Sequence, residues 1–214
     1  MSLSVEVRQL HKRYLGSERP VLDHFSLSLA PGSLNALVGP SGVGKTTLLN
    51  CLAGLDNWQS GSIDLGSHHM DPSDPSNSAL FRRQHIGLTF QDPRLLPEFT
   101  VLENILLPMK LDGEWDETWG QSLLHQVGCE DLVDRYPHQL SGGQAARIGL
   151  ARAMVRKPSL WLLDEPTGNL DPITAELIKN FIHQLHQNLK PTTLIVTHNQ
   201  LLAQSCERQI SLNN

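Results

Sequence analysis

The string Gly39-Pro40-Ser41-Gly42-Val43-Gly44-Lys45-Thr46 constrains this chain more than any other feature. It fits G-x-x-x-x-G-K-[S/T], a loop that works only between a buried strand and a helix. Leu34 to Val38 reads as that strand, and Leu48, Leu49, Leu52 and Leu55 mark one face of the helix behind it. Glycines let backbone N–H groups converge on phosphate oxygens, and the helix N-terminus adds partial positive charge. Lys45 is then placed for the terminal phosphates of a nucleotide, the Thr46 hydroxyl for Mg²⁺, and the Thr47 hydroxyl for the innermost phosphate. A plain glycine-rich turn is the alternative, but a chance match in a chain of this length is about 1%.

A second pattern decides the fold class. Helical and strand-like stretches alternate late in the chain: 143–155, 160–163, 172–189 and 193–196. That order predicts an α/β fold, a phosphate-loop core with a mainly parallel sheet. Alternation at Val5, Val7, Phe25, Leu27 and Leu29 predicts an antiparallel β part at the N-terminus. Residues 66–78, rich in Ser, Asp, Pro and His, read as a surface loop, and Ile86 to Phe90 as a short strand. Thr100 caps an apolar helix, Val101 to Leu107, expected to break at Pro108, with a second helix over Trp115 to Val127. The whole of 1–214 reads as one domain, with a helical insertion over roughly 92–156.

The charge balance removes one class of partner. With 17 basic against 22 acidic residues the net charge is −5, which weighs against a nucleic-acid binder. The longest apolar runs fall far short of the roughly 18 residues a spanning helix needs, and no signal-peptide pattern stands at the start. The chain is expected to stay in the cytosol. Cys51, Cys129 and Cys206 are expected to be reduced, mostly buried thiols.

Two further stretches carry chemistry. Leu160-Trp161-Leu162-Leu163-Asp164-Glu165 is an apolar strand ending in two carboxylates. With the strand end beside the phosphate loop, Asp164 is a Mg²⁺ ligand through water and Glu165 a general base for the attacking water. Leu140-Ser141-Gly142-Gly143-Gln144 opens a helix that continues through Ile148, Ala151 and Met154. It makes a second anion site at a helix N-terminus, or alternatively an ordinary serine N-cap. One phosphate loop already serves the terminal phosphates, so a second cradle is explained most simply by a symmetric dimer closing across the nucleotide.

With that string the chain resembles the nucleotide-binding subunits of ABC transporters, whose signature is LSGGQ. The resemblance extends over essentially all 214 residues. It implies an ATPase that binds ATP and Mg²⁺, pairs with a second copy of itself when ATP is bound, and drives an integral membrane permease from the inner face of the membrane. Residue by residue, it implies that Tyr14 stacks on adenine. Gln91 meets Mg²⁺ and the attacking water, and His198, after the strand Leu194-Ile195-Val196-Thr197, bonds the γ-phosphate. Gly39 through Thr47 hold the phosphates, Ser141, Gly142, Gly143 and Gln144 serve the partner's nucleotide, and Asp171 in Gly168-Asn169-Leu170-Asp171 communicates across the dimer. Ala146 departs from the pattern, since the family often has glutamine there.

The stretches Pro166 to Asp171 and Leu95 to Asn104 resemble a narrower group, the lipoprotein-releasing and macrolide-exporting systems and the cell-division pair. A non-transport ABC ATPase is the alternative, although the coiled coil or tandem domain of such relatives is missing. A regulatory, inactive subunit is another, against which Lys45, Glu165 and His198 stand intact. The apolar density of Leu95, Leu96, Phe99 and Leu102 predicts a groove for a short cytoplasmic helix of the permease. His68, His69, Asp71 and Asp74 read as a solvated loop and not as a metal site.

Overall fold

The computed structural model describes residues 2–168 and 170–212, so Asn169 in the loop before Asp171 lies outside the described residues. In chain order the elements are β1 (Val5–Lys12), β2 (Leu22–Leu29), β3 (Leu34–Val38), α1 (Lys45–Leu52), β4 (Ser60–Leu65), β5 (His68–His69), α2 (Pro75–His85) and β6 (Ile86–Thr89). Then follow α3 (Val101–Lys110), α4 (Glu117–Gln126), α5 (Gly142–Met154), β7 (Leu160–Asp164), α6 (Pro172–Leu189), β8 (Thr192–Val196), α7 (Gln200–Gln204) and β9 (Arg208–Ser211).

Two sheets form. The first is antiparallel, in the order β2-β1-β4-β5, and the second is parallel, in the order β6-β7-β8-β3-β9. The central strands β3, β7 and β8 are buried on both faces, as their largely apolar runs require, while the edge strand β9 is mostly exposed. Side chains alternate between the faces, so Leu160, Leu162, Leu194 and Val196 join a core shared with β1, β2, β4 and α1. Trp161, Leu163 and Ile195 join the opposite core, made with α3, α4, α5 and α6. The parallel sheet is thus the middle layer between the antiparallel sheet and the helices.

The strand order has a direct consequence for chemistry. β6, β7, β8 and β3 are consecutive neighbours, with Thr89 beside Leu163, Asp164 beside Val196, and Leu37 also beside Val196. Their C-terminal ends lead into Gln91, Glu165, His198 and the phosphate loop respectively. Residues far apart in the chain therefore meet at one edge, where open α/β sheets bind ligands.

The structure corrects two expectations. α3 does not break at Pro108 but runs to Lys110. Proline removes only its own N–H, and the Leu111 N–H still reaches the Leu107 carbonyl at 3.1 Å, while Met109 packs on the helical core. Residues 66–78 are not all loop. His68–His69 pairs with β4, and Asp74 caps α2 by accepting from the Asn77 N–H at 3.0 Å, with Pro75 in the first turn. Cys51 and Cys129 are buried and Cys206 half-buried, all three free.

Candidate nucleotide site

The phosphate loop spans the turn from β3 to α1. Gly42 (φ +77°) and Gly44 (φ +110°) hold left-handed conformations that side chains disfavour. A Cβ on Gly44 would also stand 2.8 Å from the Val21 carbonyl oxygen, so the residue that leads into β2 braces the loop from outside. Lys45 is buried, and its Nζ donates to the carbonyls of Gly39 (2.7 Å) and Pro40 (2.8 Å). It thereby bridges the two residues that open the loop, Gly39 and Pro40.

Asp164 ends β7 beside this loop. Its backbone N–H donates to the Thr89 hydroxyl (3.0 Å), and its carboxylate accepts from the Thr46 hydroxyl (2.8 Å). Burial raises its pKa above the ordinary carboxylate value; the Thr46 hydrogen bond opposes this, while the charge of Glu165 adds to it and that of Lys45 opposes it. A carboxylate and a hydroxyl in contact are a pair of hard oxygen donors, the chemistry a Mg²⁺ ion selects. Thr46 and Asp164 therefore fit the ion.

Glu165 follows in a left-handed conformation (φ +47°), its N–H held by the Val196 carbonyl at 2.9 Å. Such a backbone angle is strained for a side chain of this size and turns the carboxylate off the line of the strand. One oxygen lies 2.8 Å from Nδ1 of His198, and the other accepts from the His198 N–H at 3.2 Å. His198 remains largely exposed. Gln91, also exposed, lines the same small cleft as Thr89, Asp164 and Glu165. Ala146, where glutamine was the family expectation, lines it too.

Tyr14 stands at the other end of the phosphate loop, in the wall of an open cavity of about 840 Å³. Its hydroxyl donates to Asp56 (2.7 Å) and lies 3.2 Å from that of Thr47. Burial raises the Tyr14 pKa, Thr47 opposes the rise and Asp56 adds to it. The ring is thereby fixed with its face partly free, 41% exposed, and Lys12 Nζ lies 4.6 Å from its centroid. Lys12 is buried and bonds Asp56 (2.6 Å) and Asn57 (2.9 Å). Burial pushes the Asp56 carboxyl up, but the hydrogen bonds from Lys12 and Tyr14 outweigh it and hold it below its usual value. The Lys12–Asp56 brace was missed by the sequence reading. Its signal was there, since Lys12 has the inward parity of Leu10 on β1 and a buried cation needs a partner.

Ser141 caps α5 through a reciprocal pair: its hydroxyl accepts from the Gln144 N–H (3.2 Å), and the Gln144 side chain accepts from the Ser141 N–H (2.8 Å). Gly142 is exposed, and a Cβ there would meet nothing within 4 Å, while one on Gly143 would come within 3.2 Å of Leu170. From α5, Arg152 donates to the carbonyls of Pro93 and Arg94 (2.9 Å), just after Gln91. The signature helix is thus tied to the segment that carries Gln91, a link the sequence reading also missed. Asp171 caps α6, accepting from the Thr174 hydroxyl and from the N–H groups of Ile173 and Thr174 at 3.0 Å; the Thr174 hydroxyl contributes most to lowering its pKa.

The chain matches the family described as ABC transporter over residues 22–168. It is 40% identical, over 97% of its length and 95% of the relative's, to the lipoprotein-releasing system ATP-binding protein LolD of Myxococcus xanthus. It is 39% identical to the same-named protein of Colwellia psychrerythraea, over 99% of this chain and 84% of that one. Among solved structures it resembles the ATP-binding cassette MJ0796 in a dimeric post-hydrolysis state bound to ADP and Pi, with a TM-score of 0.89 at 31% identity, covering 98% of this chain and 94% of that chain. A dimeric structure of MJ0796 described as a bacterial ABC transporter cassette gives a TM-score of 0.88 at 30% identity, covering 97% and 94%.

Proposed function

The chain belongs to the ABC transporter family, and from that premise we propose that two copies close on two ATP molecules to drive a membrane permease of the lipoprotein-releasing kind. The chain is an ABC-type ATPase subunit of a transporter. The observation that carries the site assignment is the convergence of four adjacent strand ends on one edge, bringing Glu165, His198, Gln91, Asp164 and the phosphate loop together. In this reading residues 1–214 are one ATPase unit, with 92–156 as its helical insertion.

Each residue then has a task. Tyr14 stacks on adenine. Gly39, Pro40, Ser41, Gly42, Val43 and Gly44 present backbone N–H groups, Lys45 leaves the loop carbonyls for the terminal phosphates, and Thr47 stands by the innermost one. Thr46, Asp164 and Gln91 hold Mg²⁺, which when bound neutralises charge on the phosphate oxygens. Glu165 accepts a proton from the attacking water as its oxygen bonds to the γ-phosphorus and the bond to the ADP oxygen breaks. His198 holds Glu165 before nucleotide arrives and then bonds the γ-phosphate. Ser141, Gly142, Gly143 and Gln144 close on the partner's γ-phosphate, with Asp171 at the dimer seam.

The permease has a docking place in this reading. A groove of about 420 Å³ runs between α2, β6 and α3, with Leu55, Leu96, Leu107 and Leu111 on its apolar side and Arg83 and Arg156 at its rim. Leu95, Phe99 and Leu102 are not in it, contrary to the sequence expectation: Leu95 and Leu102 pack into the helical core, and of the four only Leu96 lines the groove. Leu96 lies in the segment tied to both Gln91 and α5, which gives a route from γ-phosphate to permease. Among the described residues no helix is long and apolar enough to cross a membrane; in this reading the groove contact holds the chain at the inner face. Leu96→Glu should leave ATP binding intact and abolish co-purification with the co-expressed permease; normal assembly of that variant would move the docking site elsewhere.

A further inference from the structure

At the seam between β1 and the edge strand β2, where His11 also lines the cavity that holds Tyr14, the two strands fall out of register. Leu10 pairs with Phe25 and Lys12 with Leu22, so the single residue His11 faces two, Asp23 and His24. A bulge of this kind re-aims side chains. Here it turns three metal-ligand side chains toward one another: His11 Nδ1 lies 3.2 Å from Asp23 Oδ1, and His24 Nε2 lies 3.8 Å from the same oxygen. All three ligand atoms fall within 4.8 Å of one another.

We propose that His11, Asp23 and His24 form a binding site for a divalent transition metal of the zinc type. Ligands at ordinary Zn–N and Zn–O lengths around a tetrahedral ion stand about 3.4 Å apart, and the two distances to Asp23 bracket that value. Two imidazoles and one carboxylate are a donor set zinc accepts, and imidazole nitrogen excludes Mg²⁺ and Ca²⁺ as the natural occupants. His11 is the fixed member. It sits on a strand paired on both sides, its carbonyl holds the Gln59 N–H at 3.0 Å, and its side chain is 28% exposed. Asp23 and His24 are exposed and free to close the remaining gap by rotation, leaving a fourth position to water.

His24 supplies a second argument. Its φ is +50°, a left-handed conformation that histidine tolerates and that belongs to the bulge. Its ring stands 5.4 Å from that of His11, tilted by 39°, an arrangement open enough for an ion between the nitrogens. A simple ion pair needs no second histidine. His69 with Asp64, at 2.7 Å on the far edge of the same sheet, is such a pair and serves as the internal control.

The test uses the metal-free whole chain titrated with Zn²⁺ alone by calorimetry, and with Co²⁺ followed by visible absorption. The parental chain should take up one equivalent with a tetrahedral Co²⁺ spectrum. His24→Gly, which relieves the backbone while removing the ligand, and Asp23→Asn should each weaken that equivalent at least about tenfold, while His69→Ala leaves it unchanged. Absence of the equivalent in the parental chain overturns the proposal. So does parental affinity in either ligand variant, or equal loss in His69→Ala.

Discussion

Two helix N-termini with adjacent glycines form the cradles of the proposed site, α1 after Gly44 and α5 after Ser141, and the chain treats them differently. The first is enclosed. Val21 presses on Gly44, Lys45 bridges the loop carbonyls, Thr46 meets Asp164, and the Tyr14 hydroxyl reaches Thr47. The second is capped through its own reciprocal hydrogen bonds, and Gly142 faces open space. A glycine with no neighbour to avoid and no left-handed angle has no intramolecular reason to lack a side chain. The contrast agrees with the proposed reading, in which the first cradle serves this chain's own nucleotide and the second is completed by another molecule.

The comparison is broken most severely at the enclosed end. Glu165→Gln should retain ATP binding, lower turnover about a thousandfold, and accumulate an ATP-bound dimer on size exclusion. Glutamine keeps a hydrogen-bonding oxygen but cannot take the proton. Parental turnover in that variant would remove Glu165 from the role of base. Ser141→Arg probes the open end, where a bulky side chain should hold the two copies apart. Hydrolysis should fall about a hundredfold while nucleotide affinity of the isolated chain stays unchanged. Loss of ATP affinity in the monomer would place the signature in the same active site as the phosphate loop and end the trans assignment.

How much of this was legible depended on which residues carried the signal. The phosphate loop, the acidic strand end and the α5 start were readable because each joins a fixed residue string to a required local structure. α6, over 172–189, was readable from periodicity alone. β4 and β9 were missed because their strings, Ser-Gly-Ser-Ile-Asp-Leu and Arg-Gln-Ile-Ser, are polar, and each is made a strand by the neighbour it pairs with, β1 and β3 respectively. α2 was hidden in a polar stretch, although Asp74-Pro75 is a cap followed by a first-turn proline. At the site, the Glu165–His198 contact was not readable, since it depends on β7 and β8 being neighbours. The same holds for the ties of Arg152 and Lys12, which are set by tertiary packing.

The brace behind Tyr14 offers a third, smaller perturbation of the enclosed end. Asp56→Ala leaves the buried Lys12 ammonium with Asn57 alone and frees the Tyr14 hydroxyl from its carboxylate. The chain should lose about 2 kcal/mol of stability to urea, less than a fully buried pair because Asp56 is partly exposed. Nucleotide affinity should drop about tenfold with the ring no longer fixed. Asp56→Asn, which still accepts a hydrogen bond, should recover most of the affinity. Equal loss in both variants would show that charge, and not the position of Tyr14, is what the brace supplies.

The mildest change separates the two cradles most cleanly, because it adds one methyl group to each. Gly44→Ala forces a Cβ to 2.8 Å from the Val21 carbonyl at φ +110°, so the ATP-free chain should lose about 2 kcal/mol or more of stability. Gly142→Ala meets nothing within 4 Å and places a better helix former in the first turn of α5. Stability of the ATP-free chain should therefore stay within about 0.5 kcal/mol of the parent or rise slightly. The cost should emerge only when a second copy arrives, since the methyl group occupies the space through which a γ-phosphate would approach the backbone N–H groups. In an Glu165→Gln background, which holds the dimer, Gly142→Ala should weaken ATP-dependent dimerisation about tenfold by sedimentation, with monomer ATP affinity unmoved. A dimer as tight as in the Glu165→Gln parent would mean that the open face of Gly142 is not where the partner's nucleotide docks, and the trans role would then rest on Ser141 alone.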